Sequence, residues 1–209
     1  MQIDLFQDTV CPWCRIGKRH LQLALAQWDG APVQVRYRAF FLNPRIPPGG
    51  EDFRSTMQAK IGNRASLDQL FAGPRQAGAR VGLHFDFDAI TRTPNTLLSH
   101  RLIALAPDSA QEAVIDAVYA AYFEQGRDIG ALEVLLDVAA AAGLERDALR
   151  DLLLSDAATE QVLADVRWAQ EAGISGVPFY IVDHKYAWSG AQPPEAIVQM
   201  LKQIEAKQS

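Results

Sequence analysis

The chain has 209 residues, 49% of them hydrophobic and 22% charged, enough for one large domain or one domain with a sizeable insertion. A formal net charge of −5 with no dense Lys/Arg block argues against a nucleic-acid surface. No apolar run reaches the ~18 residues of a membrane span. Residues 1–8 carry no basic segment, long apolar stretch or small-residue cleavage site, so the expected setting is the cytoplasm, with no membrane partner.

Residues 2–8 alternate as a strand, with Ile3, Leu5 and Gln7 on one face and Asp4, Phe6 and Asp8 on the other. A helix is predicted to start near Pro12, which has no N–H to satisfy in a first turn. Its apolar face is Ile16, Leu21, Ala24, Leu25 and Trp28, leaving Arg15, Lys18, Arg19 and Gln22 on the polar side; Asp29-Gly30-Ala31-Pro32 ends it. Val33 to Phe41 alternates strictly as a second strand, and strand–helix–strand makes parallel pairing the default. Residues 43–50, rich in Pro and Gly, read as a boundary.

From 51 to 173 no long strand is predicted, only successive helices at 51–61, 66–81, 94–106, 108–125, 129–142, 145–154 and 156–172. Ser66 with Gln69 makes a capping box, Gly143 follows a helix end, Pro74 is expected to kink or split the second of these helices, and 83–87 is an extended connector. Phe179–Val182 is then a strand, Asp183-His184-Lys185 a turn and Tyr186–Trp188 a partner strand. A last helix, 194–206, turns Ile197, Met200, Leu201 and Ile204 inward.

The only two cysteines are Cys11 and Cys14, three apart, with Pro12 and Trp13 between them at the predicted helix start. Free N–H groups and the macrodipole favour an anion there, so Cys11 is expected to be the attacking thiolate and Cys14, one turn in, the more buried resolving thiol. A zinc site wants four ligands, whereas His20, His84, His100 and His184 are scattered, so no metal is expected. A structural disulfide closing so short a loop would gain little. Two core cysteines spaced by chance remain the bland alternative. A second feature is Gly176-Val177-Pro178 before the late strand. A cis bond there would present the Val177 backbone to an extended substrate near Cys11; an ordinary loop proline is the alternative.

Together these stretches resemble the DsbA family of thioredoxin-fold oxidoreductases. The FrnE-like branch is the closer likeness, through Cys11-Pro12-Trp13-Cys14 with Ile16-Gly17-Lys18, Phe41-Leu42-Asn43-Pro44, His100-Arg101-Leu102 and Ser189-Gly190-Ala191-Gln192-Pro193-Pro194. The resemblance covers nearly the whole chain. It implies an α/β thioredoxin fold with a large all-helical insertion: residues 1–42 and 174–209 form a discontinuous thioredoxin-like domain, and 43–173 the insertion. It further implies a dithiol–disulfide oxidoreductase or isomerase with nucleophile Cys11, resolving Cys14, and Pro12, Trp13, Val177 and Pro178 at the substrate. No bound cofactor is expected. The redox-active pair Cys11–Cys14 would exchange with thiol- or disulfide-bearing proteins or small thiols, with glutathione a candidate co-substrate.

Two departures stand out. Relatives in the wider fold often place a buried acid six residues before the first cysteine; here that residue is Leu5, flanked by Asp4 and Asp8, so the proton acceptor of Cys14 is unassigned. A second cysteine pair found in some FrnE-like proteins is missing, so the dithiol would be reset by an external partner. The same family name covers glutathione-dependent 2-hydroxychromene-2-carboxylate isomerases and kappa-class transferases, which usually carry serine where Cys11 stands; Asn43 and the helical block would then line a small-molecule pocket. A binding or chaperone module with incidental cysteines is the third reading. His100-Arg101 reads as a solvated or hydrogen-bonded pair rather than a catalytic one.

Overall fold

The structure is a computed structural model that describes residues 1–63 and 65–208. The chain divides into two compact units, Met1–Leu42 with Asp165–Ser209, and Asn43–Ala164.

The first unit is built on strands β1 (Gln2–Gln7) and β2 (Gln34–Ala39), joined through helix α1 (Pro12–Leu25). They pair in parallel, as the strand–helix–strand order predicts, with Leu5 opposite Tyr37. Strands β5 (Phe179–Val182) and β6 (Tyr186–Ser189) complete a four-stranded sheet in the order β2-β1-β5-β6. β5 runs antiparallel to both its neighbours, with Tyr180 opposite Leu5 on one side and Trp188 on the other. The β5–β6 turn is tight because Asp183 and His184 adopt φ of 48° and 55°, and positive φ at both central residues gives a twist that matches the strands.

One face of the sheet presents Ile3, Leu5, Tyr180 and Val182. They pack with Leu21 and Ala24 of α1 and with Ile197, Leu201 and Ile204 of the last helix, α9 (Pro194–Ala206). On the other face Phe6 packs with Ala169, Ile174 and Trp168, the Trp168 ring edge-on to Phe6 with centroids 4.9 Å apart. With both faces covered, five of the six β1 residues are buried. The sequence boundary at 174 moves upstream: the chain rejoins this unit at Asp165, inside helix α8 (Thr159–Glu171). Asp165 accepts from Arg38 Nη1 at 3.2 Å and from the Ala39 N–H at 3.1 Å, which ties that half of α8 to β2.

The second unit holds α2 (Phe53–Ile61), α3 (Leu67–Ala79), α4 (Leu97–Leu105), α5 (Asp108–Phe123), α6 (Leu132–Ala141) and α7 (Arg146–Leu154). Ser66 and Gln69 form the predicted capping box. Pro74 does not split α3, which runs through it. As expected, no long strand occurs among the described residues of this stretch, which holds one short pair. β3 (Glu51–Asp52) pairs antiparallel with β4 (Arg92–Thr93), and a two-residue strand is too short to carry an alternating pattern. Arg101 of α4 donates to the carbonyls of Leu152, Leu153, Ser155 and Ala157 at 2.7–3.2 Å, so it serves the C-terminal end of α7.

Candidate active site

Helix α1 starts at Cys11, its N-cap, with extended φ −98° and ψ 111° and Pro12 in the first turn. The Cys11 Sγ accepts the Cys14 N–H at 3.3 Å, the place usually taken by a Ser, Thr, Asp or Asn oxygen. Upstream, the Cys11 N–H donates to the Asp8 carbonyl at 3.0 Å and fixes the turn out of β1. Both cysteines are free thiols. Cys11 is 4% exposed and Cys14 fully buried, whereas Trp13 between them is 43% exposed. Both cysteines are buried, and Cys14 is the more buried of the two, as the helix position predicts.

Burial pushes the Cys14 thiol well up. Its bond to Cys11 and the charges of Cys11 and Asp8 push the same way, while a backbone hydrogen bond from Asp8 offsets part of this. The Val177–Pro178 bond is cis. The Cys11 Sγ donates to the Val177 carbonyl at 3.7 Å, so the loop before β5 and the start of α1 meet at that sulfur. The contact needs Gly17: a Cβ there would stand 2.9 Å from Pro178 Cγ and 2.5 Å from the Tyr180 hydroxyl. All four predicted substrate residues belong to this one locality, with Pro12 and Trp13 on the rim of α1 and Val177 and Pro178 facing it across Cys11.

The acids flanking Leu5 differ in use. Asp4, fully buried, accepts from Arg38 Nε and Gln2 Nε2, each at 2.8 Å, on strand positions facing away from Leu5. The Asp8 carboxylate accepts the Leu42 N–H at 2.7 Å, and its charge reaches Cys14. Leu5 itself lies in the core between Tyr37 and Tyr180.

Lys18 reverses an expectation. Assigned to the polar side of α1, it is 1% exposed, with Nζ 5.9 Å from the centre of the Tyr37 ring. A lysine stem covers apolar surface readily, and an aromatic face receives its ammonium. Arg15 is also buried. His20 Nδ1 donates to the Gln192 carbonyl at 2.8 Å and so anchors the Ser189–Pro194 stretch. Gly17, Lys18 and Tyr180 were missed as site residues because their roles depend on α1 lying over the sheet, which helical periodicity alone does not reveal. Among the described residues no group of three His, Cys, Asp or Glu could hold a metal ion, and no helix is long and apolar enough to cross a membrane.

Comparison with known proteins agrees with this architecture. A probable DsbA oxidoreductase from Streptomyces coelicolor has the same fold, with a TM-score of 0.88 and 33% identity, over 100% of this chain and 92% of that one. A 2-hydroxychromene-2-carboxylate isomerase superposes with a TM-score of 0.72 at 19% identity, over 100% of both chains. The cytosolic disulfide reductase DsbM of Pseudomonas aeruginosa, solved with GSH, gives 0.65 at 18% identity, over 98% of this chain and 100% of that one. The family model of the DsbA-like thioredoxin domain matches residues 2–202. The chain belongs to the DsbA-like thioredoxin family, in its α/β fold with a helical insertion.

Proposed function

We propose that the protein is a thiol–disulfide oxidoreductase working through Cys11 and Cys14. The observation that carries this reading is the meeting at one sulfur of the α1 N-cap and the Val177–Pro178 loop. The thiolate is the nucleophile in disulfide exchange. At Cys11 that anion would keep the Cys14 N–H as donor and face the open end of a helix. It attacks one sulfur of a substrate disulfide; a Cys11–substrate S–S bond forms, the substrate S–S bond breaks, and the first substrate sulfur leaves as a thiolate. Cys14 then attacks the Cys11 sulfur, the internal disulfide closes, and the second substrate sulfur leaves. The substrate gains two electrons and the protein pair loses them. The same steps in reverse oxidise a dithiol substrate.

Val177 supplies backbone and Trp13 an exposed apolar ring to an extended segment held against Cys11. Thiol- or disulfide-bearing proteins and small thiols are both candidate substrates. Glutathione is favoured as the resetting partner, because Cys11 and Cys14 are the chain's only cysteines and the DsbM relative was solved with GSH. The cytosolic setting in that relative's name supports a cytoplasmic one here.

The likeness to a 2-hydroxychromene-2-carboxylate isomerase supports a second reading, glutathione-dependent isomerisation of a small molecule. One pair of variants separates the two. Cys11→Ser abolishes exchange with glutathione disulfide on the oxidoreductase reading, and Cys14→Ser traps a mixed disulfide at Cys11. Undiminished exchange by Cys11→Ser refutes it. Glutathione-dependent isomerase activity that survives Cys11→Ser favours the second reading.

A further inference from the structure

The Tyr180 hydroxyl is fully buried and has no hydrogen-bond partner. A buried hydroxyl left unpaired costs free energy, about 1–3 kcal/mol in general, and phenylalanine would fill the same space without that cost. Tyr180 is directly opposite Leu5 on the neighbouring strand, so its ring shares a face with the position where the wider fold often keeps an acid. Its oxygen comes 2.5 Å from where a Gly17 Cβ would stand, against α1. Residues three apart share a helix face, which puts Cys14 one turn from that point on the same side of the helix.

From this geometry we infer that the Tyr180 hydroxyl is the hydrogen-bond donor that receives the Cys14 thiolate during the resolving step. The thiol of Cys14 is a weak acceptor, and the hydroxyl is unpaired in the dithiol form; the thiolate is a strong acceptor. The titratable groups whose charges act on the phenol are Cys14 and Cys11 on α1 and Tyr37 on β2. Lys18 lies over the Tyr37 ring from the same helix. Burial holds the phenol well above its ordinary range, so it keeps its proton throughout. The proton of Cys14 passes to water. The Cys14 anion attacks the Cys11 sulfur of the mixed disulfide, the Cys11–Cys14 bond forms, the Cys11–substrate bond breaks, and the substrate sulfur departs as a thiolate.

This inference rests on the oxidoreductase reading, and a two-step assay separates their failures. The dithiol protein is mixed with an aromatic disulfide that releases one coloured thiolate at each step, the first on attack by Cys11 and the second on attack by Cys14. Wild type should give both. Tyr180→Phe should leave the first release unchanged and slow the second about tenfold, the lower end for one lost bond to a charged group. The pH at which the second step accelerates should move up by about one unit. A second release with wild-type rate and pH profile in Tyr180→Phe overturns the inference. If wild type gives no second release, the oxidoreductase reading fails and takes this inference with it. Melting of both redox forms guards against a folding defect: a purely packing role for the hydroxyl shifts both forms equally and leaves the ratio of the two rates intact, which would also overturn the inference.

Discussion

Gly17→Ala sets two known effects of opposite sign against each other at the site. In a helix interior alanine is favoured over glycine by about 1 kcal/mol, so helix propensity alone would stabilise the variant. The new methyl would stand 2.5 Å from the Tyr180 hydroxyl and 2.9 Å from Pro178 Cγ, against an optimal carbon separation of about 3.5–4.0 Å. Neither neighbour retreats cheaply. Tyr180 is fully buried and its ring is stacked on Trp188 with centroids 4.7 Å apart, and Pro178 is a buried rigid ring. Overpacking of this kind costs about 1–3 kcal/mol, and two close contacts put this site near the upper end.

The expected net effect is therefore a loss of about 1–2 kcal/mol, read from urea denaturation of the dithiol form. Function should suffer more than stability. Relief of the contact moves Pro178 and the Val177 carbonyl away from the Cys11 sulfur, now 3.7 Å distant. Displacements of about 1 Å can cost up to about a hundredfold in rate, so a drop of about tenfold in the first exchange step is expected. A variant about 1 kcal/mol more stable than wild type, with unchanged exchange, would refute the claim that Gly17 is required by the approach of the loop.

Three further expectations follow from named contacts. Arg101→Ala should cost about 2–4 kcal/mol in denaturation, because four carbonyls at the end of α7 lose their donor; Arg101→Lys should not restore it, since an ammonium lacks the guanidinium fork, and a cost below about 0.5 kcal/mol would contradict this role. The buried Cys14 thiol is raised in the folded chain, so the folded dithiol form holds a proton that the unfolded chain releases above about pH 8.5. Its contribution to stability is complete below that pH and falls as pH rises, by at most about 1.4 kcal/mol per pH unit, while the disulfide form lacks it; parallel stability–pH curves for the two forms would contradict this. Trp13, half-exposed between the two cysteines, should change its fluorescence when dithiothreitol opens the pair, and a constant signal would argue that the pair does not cycle.

Much of the frame was legible because local signals carried it. The alternation of Val33 to Phe41, the parallel pairing of β1 and β2, the Ser66–Gln69 box and the inward stripe of α9 each follow from a pattern within one element. Lys18 was misread, and Pro74 did not split its helix, for a shared reason. A proline or a lysine inside a helix is scored by its intrinsic preference, while its neighbours decide its fate: α3 continues past the one, and the Tyr37 ring receives the other. The β3–β4 pair was invisible, since two residues have no period. At the candidate site, the positions of Cys11 and Cys14 at a helix start and of Val177–Pro178 before a strand were readable. Tyr180 was not, because its relevance arises from cross-strand register with Leu5, a relation between residues 175 apart in the chain.

That register bears on how a dithiol can work without an acid at position 5. A carboxylate beside Cys14 would accept its proton, yet while ionised it would oppose the thiolate, as the charge of Asp8 already does. Leu5 removes a second such charge from the row Tyr37–Leu5–Tyr180–Trp188 that crosses the sheet beneath α1. What remains in that row is a neutral hydroxyl on one side of Leu5 and, on the other, an aromatic ring under the Lys18 ammonium. A donor that never ionises favours the Cys14 anion without competing for its proton. The proton then leaves to water, and the rate of resolution should follow hydroxide more steeply than in a site with a resident base. Tyr180→Phe should accordingly shift the second exchange step to higher pH, whereas Leu5→Glu, which adds a resident base, should flatten its dependence on hydroxide. A Leu5→Glu profile as steep as that of wild type, beside an unshifted Tyr180→Phe, would mean that the row is packing alone.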